Sequence, residues 1–389
     1  MAKNQSPLPA LPAQNLNSWL LVLGREPLLS AAEITAVFSL SKISYEIDSF
    51  SNNHLAIKTN EKISAFELIN RLGGTIKIAK KLDITIDGIA YFLNHFLPRG
   101  KINFSLNGFA PKQGLEIKKQ LRAMGRGARY IEPKNTATIA FNNLIEKGAD
   151  LTLFNSQIFI SQALQPFEKF SRRDYGRPGR DNRSGMLPPK LAMIMINLAT
   201  APLETALLDP FCGSGTIINE ALCLGYKKLI GADASERAVI DTKNNIDWLK
   251  KEFPLEDTKA EPNIFQSDAR NLDKIIRNSS VGAIVTEPYL GKPLQSGETL
   301  EEIKQQAKEL KTLYLSAFQQ FKKILKPDGT IVFVIPCFKF KKDWIKIDCL
   351  SEIKKLGFEP APLWKDKISL LYSRPDQRVG REIWKFIKK

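Results

Sequence analysis

The residues with the clearest chemical potential form a tight turn, Asp209–Thr216, with the sequence Asp-Pro-Phe-Cys-Gly-Ser-Gly-Thr. The apolar pair Leu207–Leu208 precedes the turn and predicts a buried strand, while Ile217–Glu220 follow it and predict a helix. A strand, a glycine-rich turn and a helix in this order are typical of the first βα unit of a doubly wound sheet, where a nucleotide-like ligand lies against the backbone. Gly213 and Gly215 allow the main chain to approach such a ligand closely.

The turn lacks the marks of the common phosphate-binding motifs. No Gly-Lys-Ser/Thr follows it, so it is not a phosphate loop, and no third glycine stands three residues after Gly215, as a dinucleotide fingerprint requires. Instead an acid, Asp209, stands before the turn, where it suits a cationic or hydroxyl-bearing ligand. S-adenosylmethionine, a sulfonium that carries a ribose, is such a ligand.

Three further polar sites follow successive predicted strands. Asp233 lies 24 residues after Asp209, close to the spacing at which an acid meets ribose hydroxyls. Asp268, beside the apolar Ala269, offers a carboxylate to an adenine amino group, and Thr286–Gly291 follows the next strand. Taken singly, the aspartates are equally explained as helix caps and the last segment as a turn. Together they favour a cofactor site at the carboxyl edge of a parallel sheet.

The rest of the chain divides into parts of different pattern. Residues up to about Pro98 alternate short strands and helices, and a second small unit follows. The stretch Ser171–Arg183 has no apolar periodicity and is expected to be a loop or linker. From Met186, strands alternate with helices, which favours a parallel sheet, and late strands near Ala361–Leu363 and Ser369–Tyr372 would form an antiparallel edge.

The chain is strongly basic, with a formal net charge of +16 over 389 residues. Residues 111–183 hold 14 basic and 7 acidic side chains, so much of the excess lies before the predicted parallel sheet. Such a charge points to a polyanionic partner, most often nucleic acid, and a solvated lysine-rich surface is the alternative.

Cysteine content and the N-terminal sequence bear on metal and location. The four cysteines form no Cys-x-x-Cys pair and the chain has only two histidines, so we expect no metal site. Met1–Asn17 is polar and lacks the apolar core of a signal peptide, and Trp19–Leu23 is too short to span a bilayer. These features predict a cytoplasmic protein with reduced thiols and no membrane segment.

The motifs together resemble a known family. The Asp209–Thr216 turn, the two aspartate sites and the Thr-Glu-Pro-Tyr-Leu-Gly segment are similar to class I S-adenosylmethionine-dependent amino-methyltransferases. Arg177–Pro178, Arg180 and Met186–Ala192 further resemble the THUMP-domain tRNA guanosine-N2 methyltransferases, and Leu23–Ser30 resembles the opening of their N-terminal domain.

The resemblance implies an α/β architecture and a cofactor. The expected parts are a ferredoxin-like α+β domain over residues 1–98, a THUMP-like RNA-binding domain over 99–166, and a basic linker over 167–185. A Rossmann-like class I methyltransferase domain, a mostly parallel sheet with an antiparallel edge, would occupy 186–389. The expected cofactor is S-adenosyl-L-methionine. The residues expected to hold it are Asp209, Pro210, Phe211, Gly213, Gly215, Thr216, Asp233, Ala234, Asp268, Ala269 and Glu287.

The family also implies which residues are catalytic. Its members use an Asp/Asn-Pro-Pro-aromatic tetrapeptide, whose side-chain oxygen and proline carbonyl bind the target amine while the ring stacks on the base. Here Glu287 stands in the acidic position, Pro288 matches, Tyr289 replaces the second proline, and Leu290 occupies the aromatic position. We therefore expect Glu287, Pro288 and Tyr289 to bind the base, with Tyr289 stacking from a shifted position. Glutamate is one methylene longer than aspartate, and a misplacement of about 1 Å can cost about 10²-fold in rate.

The resemblance further implies a tRNA substrate, gripped at its acceptor end, whose target base leaves its stack to reach the pocket. Basic residues are expected to contact its phosphates. They are Lys118, Lys119, Arg122, Arg126, Arg129, Arg172, Arg173, Arg177, Arg180 and Arg183. For the arginines from Arg172 onward, an interdomain salt-bridge network is the alternative. Some family members depend on a small activating protein, which the residues leave open here, and we expect a monomer or weak oligomer.

Two other kinds of function compete with this one. A DNA or ribosomal-RNA amino-methyltransferase would use the same chemistry on another nucleic acid. A non-catalytic RNA-binding protein that kept the fold would explain the altered Glu-Pro-Tyr-Leu segment. A small-molecule methyltransferase ranks last because it would not need the basic N-terminal half.

Overall fold

The computed structural model describes residues 18–51, 53–180, 186–255, 260–294, 297–375 and 377–389. Met1–Asn17, on which the signal-peptide argument rests, and Arg183 lie outside these ranges. The chain forms two units. Unit 1 comprises the described residues up to Arg25 with 43–70 and 75–165, and unit 2 comprises 26–42, 71–74 and the chain from 166 onward.

The described strands are β1 (Ser18–Leu23), β2 (Tyr45–Phe50), β3 (His54–Thr59), β4 (Thr75–Leu82), β5 (Ile102–Asn107), β6 (Ala128–Tyr130), β7 (Ala149–Phe154), β8 (Gln157–Leu164), β9 (Leu207–Asp209), β10 (Leu229–Asp233), β11 (Asn263–Gln266), β12 (Val281–Thr286), β13 (Leu325–Phe340), β14 (Asp343–Lys346), β15 (Phe358–Ala361), β16 (Ser369–Tyr372) and β17 (Val379–Lys388). The described helices are α1 (Pro27–Leu40), α2 (Ala65–Arg71), α3 (Ile89–Phe96), α4 (Gln113–Ala123), α5 (Thr136–Phe141), α6 (Phe167–Tyr175), α7 (Pro189–Leu198), α8 (Thr216–Cys223), α9 (Glu236–Glu252), α10 (Leu300–Ile324) and α11 (Leu350–Lys355), and Ala269–Lys274 form a 3-10 helix.

In its described part, unit 1 is built on one eight-stranded sheet in the order β2-β3-β1-β4-β8-β7-β5-β6. Helix α4 packs on this sheet through Ile117 and Leu121, which are buried with Phe104 of β5. A spacing of four residues places Ile117 and Leu121 on one helix face. The sheet runs through both N-terminal domains expected from the sequence, and the boundary between them stays a prediction.

A buried carboxylate links four neighbouring strands in the middle of this sheet. Asp150 on β7 pairs with Lys77 Nζ of β4 at 2.5 Å and accepts hydrogen bonds from Ser105 and Asn107 of β5 and Ser161 of β8. A buried charge is tolerable only when it is paired and hydrogen-bonded in this way. The cluster therefore fixes the relative positions of four strands.

Unit 2 contains the parallel sheet that the sequence predicted. In the part of the chain that the structure describes, its order is β11-β10-β9-β12-β13-β17-β15, and β9 to β13 pair in parallel. Strands β14, β15, β16 and β17 pair antiparallel at one side, which confirms the mostly parallel α/β sheet with an antiparallel edge. The strand predicted at Ser369–Tyr372 is confirmed, and the one predicted near Ala361–Leu363 lies earlier, at Phe358–Ala361.

The core of unit 2 is aromatic. Phe318 of α10 lies edge-on to Phe333 of β13 and Phe386 of β17, with ring centroids 5.1 and 5.4 Å apart. Edge-to-face pairs of this kind add about 0.5–1.5 kcal/mol each beyond area burial. The start of α10 is fixed by a capping box between Thr299 and Glu302. This packing holds α10 firmly beside the strands that carry the site.

One buried carboxylate links helix α1 to other segments of unit 2. Glu33 accepts hydrogen bonds from the amides of Gly73 and Gly74 and from Asn197 Nδ2 of α7, each at 2.8 Å. Burial raises the pKa of Glu33 to about 7, against the lowering effect of these hydrogen bonds. A chain segment close to the N-terminus is thus joined to the unit that contains the parallel sheet.

The expectation of a loop from Ser171 is wrong for its first residues, which continue the helix α6 (Phe167–Tyr175). Phe170 and Arg173 form the buried side of this helix. Apolar periodicity failed here because one of the two buried positions carries an arginine. Among the described residues, no helix combines the length and apolar character that crossing a membrane requires.

Candidate active site

The four polar sites predicted from the sequence lie at one edge of the parallel sheet of unit 2. Asp209 ends β9, Asp233 ends β10, Asp268 follows β11 and Glu287 follows β12. Strand β9 pairs in parallel with both β10 and β12, and β10 pairs with β11. Because carboxyl ends of parallel strands meet at one edge, this is the place where open α/β sheets bind ligands.

The two glycines of the turn have different tasks. Both have left-handed backbone, with φ of +51° at Gly213 and +83° at Gly215. A Cβ on Gly215 would lie 2.7 Å from Thr242 Cγ2, so Gly215 permits the turn to pack on α9. A Cβ on Gly213 would meet nothing within 4 Å, so its outer side is open to a ligand.

Asp209 is a buried acid with fixed geometry. Its Oδ1 accepts hydrogen bonds from Thr286 Oγ1 at 2.7 Å and from the Phe211 amide at 3.2 Å. Burial, with a smaller contribution from the nearby carboxylates of Asp233 and Glu287, raises the pKa of Asp209 to about 7 against the lowering effect of the two hydrogen bonds. A cation at this place would relieve the repulsion among the three acids.

Asp233 connects the turn to the second strand. Its Oδ2 accepts a hydrogen bond from the Gly213 amide and its Oδ1 one from the Ser235 amide, each at 2.9 Å. The cap of α9 is Ser235, whose side chain accepts from the Ala238 amide. The cap interpretation of Asp233 is therefore wrong, and its half-buried carboxylate keeps lone pairs for a hydroxyl ligand.

Asp268, in contrast, does act as a cap. Its Oδ1 accepts from the Arg270 amide at 2.8 Å at the start of the 3-10 helix, and its Oδ2 pairs with Arg270 Nη2 at 2.6 Å. The hydrogen bond from the Arg270 side chain lowers the pKa of Asp268. Of the two alanines predicted to hold the cofactor, Ala269 is buried and Ala234 is exposed.

Glu287 forms an ion pair that the sequence did not predict. Arg381 on β17 donates from Nε to Glu287 Oε1 at 2.5 Å and from Nη2 to Oε2 at 3.3 Å. The two side chains are only 12% and 8% exposed. Strand β17 went unpredicted because charged and apolar residues mix along it, although its branched and aromatic residues favour a strand.

The segment after Glu287 is fixed by α10. Pro288 is buried, whereas the Tyr289 side chain is 54% exposed and available as a stacking surface. The Tyr289 carbonyl accepts a hydrogen bond from the buried Tyr314 hydroxyl at 2.7 Å. Gln306 accepts from the Lys292 amide at 3.0 Å and donates to its carbonyl at 3.3 Å. Neither α10 residue was predicted to serve the site.

Helix α9 holds the glycine turn from the other side. Thr242 Oγ1 donates to the Gly213 carbonyl at 2.7 Å, and Asn245 Nδ2 donates to the Ser214 carbonyl at 2.8 Å. Asn245 also exchanges two hydrogen bonds of 2.8 Å with the backbone of Gly179. These buried polar residues lie on a helix face where apolar residues are usual, which is the only signal they leave in the sequence.

Two arginines expected to guide RNA are structural instead. Arg173 forms a buried bidentate pair with Glu220, at 2.6 and 2.9 Å, and Arg177 is buried and donates to Thr216 Oγ1 at 2.6 Å. Neither guanidinium is accessible to a phosphate. Arg172 is exposed and pairs with Glu252. The ion pairs of Arg173 with Glu220 and of Arg172 with Glu252 both lie within unit 2. They are salt bridges, as the alternative expected, but they do not join two domains.

The remaining basic residues divide by accessibility. Lys119 and Arg122 are exposed on α4 and Lys118 is half-buried beside them, and we call these three residues the α4 basic face. Arg129 on β6 is exposed, and Arg180 is exposed above the Tyr175 ring at 5.5 Å. Arg126 donates to the backbone carbonyls of Asn94, Leu97, Pro98 and Gly100, so its guanidinium serves the fold of unit 1.

Comparison with known proteins identifies a methyltransferase domain in this part of the chain. The model of the RMKL-like methyltransferase domain family matches residues 177–354. The tRNA (guanine(10)-N2)-dimethyltransferase of Methanocaldococcus jannaschii is 29% identical over 194 residues, which are 48% of each chain. A probable tRNA (guanine(10)-N2)-dimethyltransferase of Methanothermococcus thermolithotrophicus is 31% identical over 144 residues, 37% of this chain and 78% of that one.

The fold has a counterpart among solved structures. TrmN from Thermus thermophilus aligns with a TM-score of 0.52 and 16% identity, covering 96% of this chain and 100% of that chain. The chain spans less than half the length of the M. jannaschii relative, but 78% of the M. thermolithotrophicus relative at 31% identity. The chain therefore belongs to the tRNA guanine-N2 methyltransferase family.

Proposed function

We propose that this protein transfers a methyl group from S-adenosyl-L-methionine to the exocyclic N2 amine of a guanosine in tRNA. The observation that carries the proposal is the position of the Glu287 carboxylate. It follows the strand next to β9, and its charge raises the pKa of Asp209 at the glycine turn. An acceptor for an amine therefore lies next to a group of acids suited to a cationic nucleoside.

The cofactor of the family is S-adenosyl-L-methionine, and the residues present fit it. It supplies an electrophilic methyl group when bound. The acids Asp209 and Asp233 suit its positive charge and ribose hydroxyls, and the open side of Gly213 leaves room beside the backbone. The carboxylate of Asp268 is engaged with Arg270, so the contact with the adenine amino group is proposed through its remaining lone pairs.

Glu287 has the chemistry that this reaction needs. An exocyclic amine of guanine is a poor nucleophile because its lone pair is delocalised into the ring. As it attacks, positive charge develops on nitrogen, and a carboxylate that accepts an N–H stabilises that charge and orients the amine. The exposed ring of Tyr289 would stack on the base once it has left its helix.

The form of the acceptor favours guanine over adenine. A carboxylate paired with an arginine accepts hydrogen bonds and donates none. In guanine, the N2 amine lies beside the N1–H donor, whereas the N6 amine of adenine lies beside the N1 lone pair. The relatives from the two methanogens are named for the N2 atom of guanine, which supports the same target.

Unit 1 is proposed to hold the tRNA. The α4 basic face with Arg129 supplies accessible cations on residues assigned to the THUMP-like domain at 99–166, next to a ferredoxin-like domain at 1–98. We propose that this surface grips the acceptor end and that Arg172 and Arg180 add exposed charge near the methyltransferase domain. The four cysteines, which all lie within the described residues, are free, which supports a cytoplasmic location. A monomer or weak oligomer, with or without a small activating protein, completes the proposal.

The test is methyl incorporation. The full chain would be incubated with labelled S-adenosylmethionine and total tRNA from cells that lack this protein, and nucleosides would be identified by mass analysis. N2-methylguanosine is the expected product. Label in N6-methyladenosine, or label only in DNA or ribosomal RNA offered in parallel, would contradict the proposal in favour of another amino-methyltransferase. Binding of tRNA and cofactor without incorporation would favour a non-catalytic RNA-binding protein.

A further inference from the structure

We propose that Arg381 is a positioning residue for methyl transfer, which holds the Glu287 carboxylate in its charged form and turns Oε2 toward the incoming amine. The proposal rests on the proposed function, because Glu287 is the acceptor assigned there. Arg381 lies 94 positions after Glu287 in the sequence, and the proposal gives it a specific role.

The geometry of the pair distinguishes the two carboxylate oxygens. Arg381 Nε donates a charge-assisted hydrogen bond to Oε1 at 2.5 Å, whereas Nη2 lies 3.3 Å from Oε2, beyond the usual range of about 2.7–2.9 Å for such bonds. Oε1 is therefore the oxygen that the arginine holds more closely. Oε2 keeps most of its capacity to accept a hydrogen bond, and it is the oxygen that we assign to the amine.

The backbone that carries Arg381 is rigid. In strand β17, Arg381 lies opposite Pro336 of β13 on one side and Tyr372 of β16 on the other. Its guanidinium therefore projects from a strand that is paired on both sides. The planar fork of an arginine fixes a carboxylate in one orientation, which the single charge of a lysine does not. Such a partner compensates for the extra rotatable bond of a glutamate where the family pattern has aspartate or asparagine.

The electrostatic surroundings require a counter-charge. The groups that act on the pair from the neighbouring elements are Asp209 of β9, Tyr314 of α10 and Tyr372 of β16. Burial raises the pKa of Tyr314, so this group is neutral, and its hydroxyl donates to the Tyr289 carbonyl. Burial lowers the pKa of Arg381, but the charge of Glu287, its hydrogen bond to Arg381 and the charge of Tyr372 together raise that pKa above its ordinary value. Without Arg381, the Glu287 carboxylate would face Asp209 with no compensating cation in this set.

The first test is the pH profile of kcat for methyl transfer. Arg381→Gln should lose about 10²-fold in kcat at pH 7. The acid limb of its profile should move to higher pH by about one unit, because one unit equals a tenfold change in proton affinity. Arg381→Lys keeps the charge but not the fork, so it should restore the acid limb and only part of kcat. Cofactor affinity should change less than twofold.

The matched control is Glu382→Gln on the same strand. Glu382 pairs with Lys346 at 2.6 Å, and as the next residue of β17 it points to the opposite face of the sheet. This variant also removes an ion pair from β17, yet its acid limb and kcat should equal those of the wild type. An equal loss in Glu382→Gln, or a loss in Arg381→Gln that is the same at every pH, would assign Arg381 a structural role and overturn the proposal.

A second measurement does not depend on turnover. The ionisation of Glu287 would be followed by ¹³C NMR of labelled glutamate carboxyl groups, with the signal assigned by its absence in Glu287→Gln. The titration midpoint of Glu287 should move to higher pH in Arg381→Gln but not in Arg381→Lys. An identical midpoint in wild type and Arg381→Gln would refute the role of Arg381. A higher midpoint in Arg381→Gln, combined with a wild-type protein that methylates no guanosine, would refute the proposed function alone.

Discussion

Replacing Asp209 with asparagine should stabilise the protein at pH 8 and have much less effect at pH 5. Asparagine has the same shape, and its Oδ1 can accept the hydrogen bonds from Thr286 and Phe211 that Asp209 accepts. The difference between the two side chains is therefore the proton. Burial raises the pKa of Asp209 from 3.8 to about 7.

The sign follows from proton linkage. Between the two pKa values the unfolded chain has released the proton of Asp209 while the folded protein keeps it, so stability falls as pH rises. Each pH unit in this window costs about 1.4 kcal/mol, and the two units from pH 5 to 7 cost about 3 kcal/mol. Above pH 7 the folded protein also ionises and the loss stops. The asparagine variant has no such proton and escapes the loss.

The assay is urea unfolding of both proteins at pH 5 and pH 8 without cofactor. The difference in unfolding free energy should grow by about 3 kcal/mol in favour of the variant between these pH values. The difference is the useful quantity because Glu33, whose pKa is also about 7, lowers the stability of both proteins over the same range. A difference that is the same at both pH values within about 1 kcal/mol would refute the buried, protonated acid.

Other variants test separate parts of the account. Asp233→Ala should weaken cofactor binding about 5- to 150-fold in calorimetry, because an acceptor worth about 1–3 kcal/mol is lost and the Gly213 amide is freed; an unaltered dissociation constant would refute the ribose contact. Arg173→Met should lower the unfolding free energy by about 3–5 kcal/mol because Glu220 stays buried and unpaired. The matched variant Arg172→Met removes an exposed pair and should cost less than about 1 kcal/mol, and equal losses would contradict this assignment. Alanine at the three positions of the α4 basic face should weaken tRNA binding and lower the slope of log affinity against log salt by about 2–3, whereas an unchanged slope would exclude phosphate contacts there.

The position of the acids at one edge of the sheet could be predicted from the sequence, because the carboxyl ends of parallel strands lie at the same edge. Once Leu207–Leu208 and the later apolar runs were identified as strands, the acids that follow them had to lie at one edge. The sequence could not show which acid is a cap and which faces a ligand. That depends on which side chain caps the helix that follows. Ser235 caps α9 after Asp233, whereas Asp268 itself caps the 3-10 helix.

The partners of the charged groups could not be predicted. Arg381 reaches Glu287 only because β17 inserts beside β13, and its mixed charged and apolar sequence hid that strand. In the same way, a basic stretch does not reveal that Arg173 and Arg177 are buried against Glu220 and Thr216. Local pattern predicts the elements, whereas ion pairs between distant elements follow from the tertiary fold.

The most direct measurement of the central claim compares the wild type with Glu287→Ala in methyl transfer to tRNA. The cofactor dissociation constant of each would be measured in parallel. The account predicts N2-methylguanosine from the wild type and a loss of at least about 10²-fold in kcat from the variant, with cofactor affinity nearly unchanged. Equal turnover in the two proteins would contradict the assignment of Glu287 as the group that receives the amine.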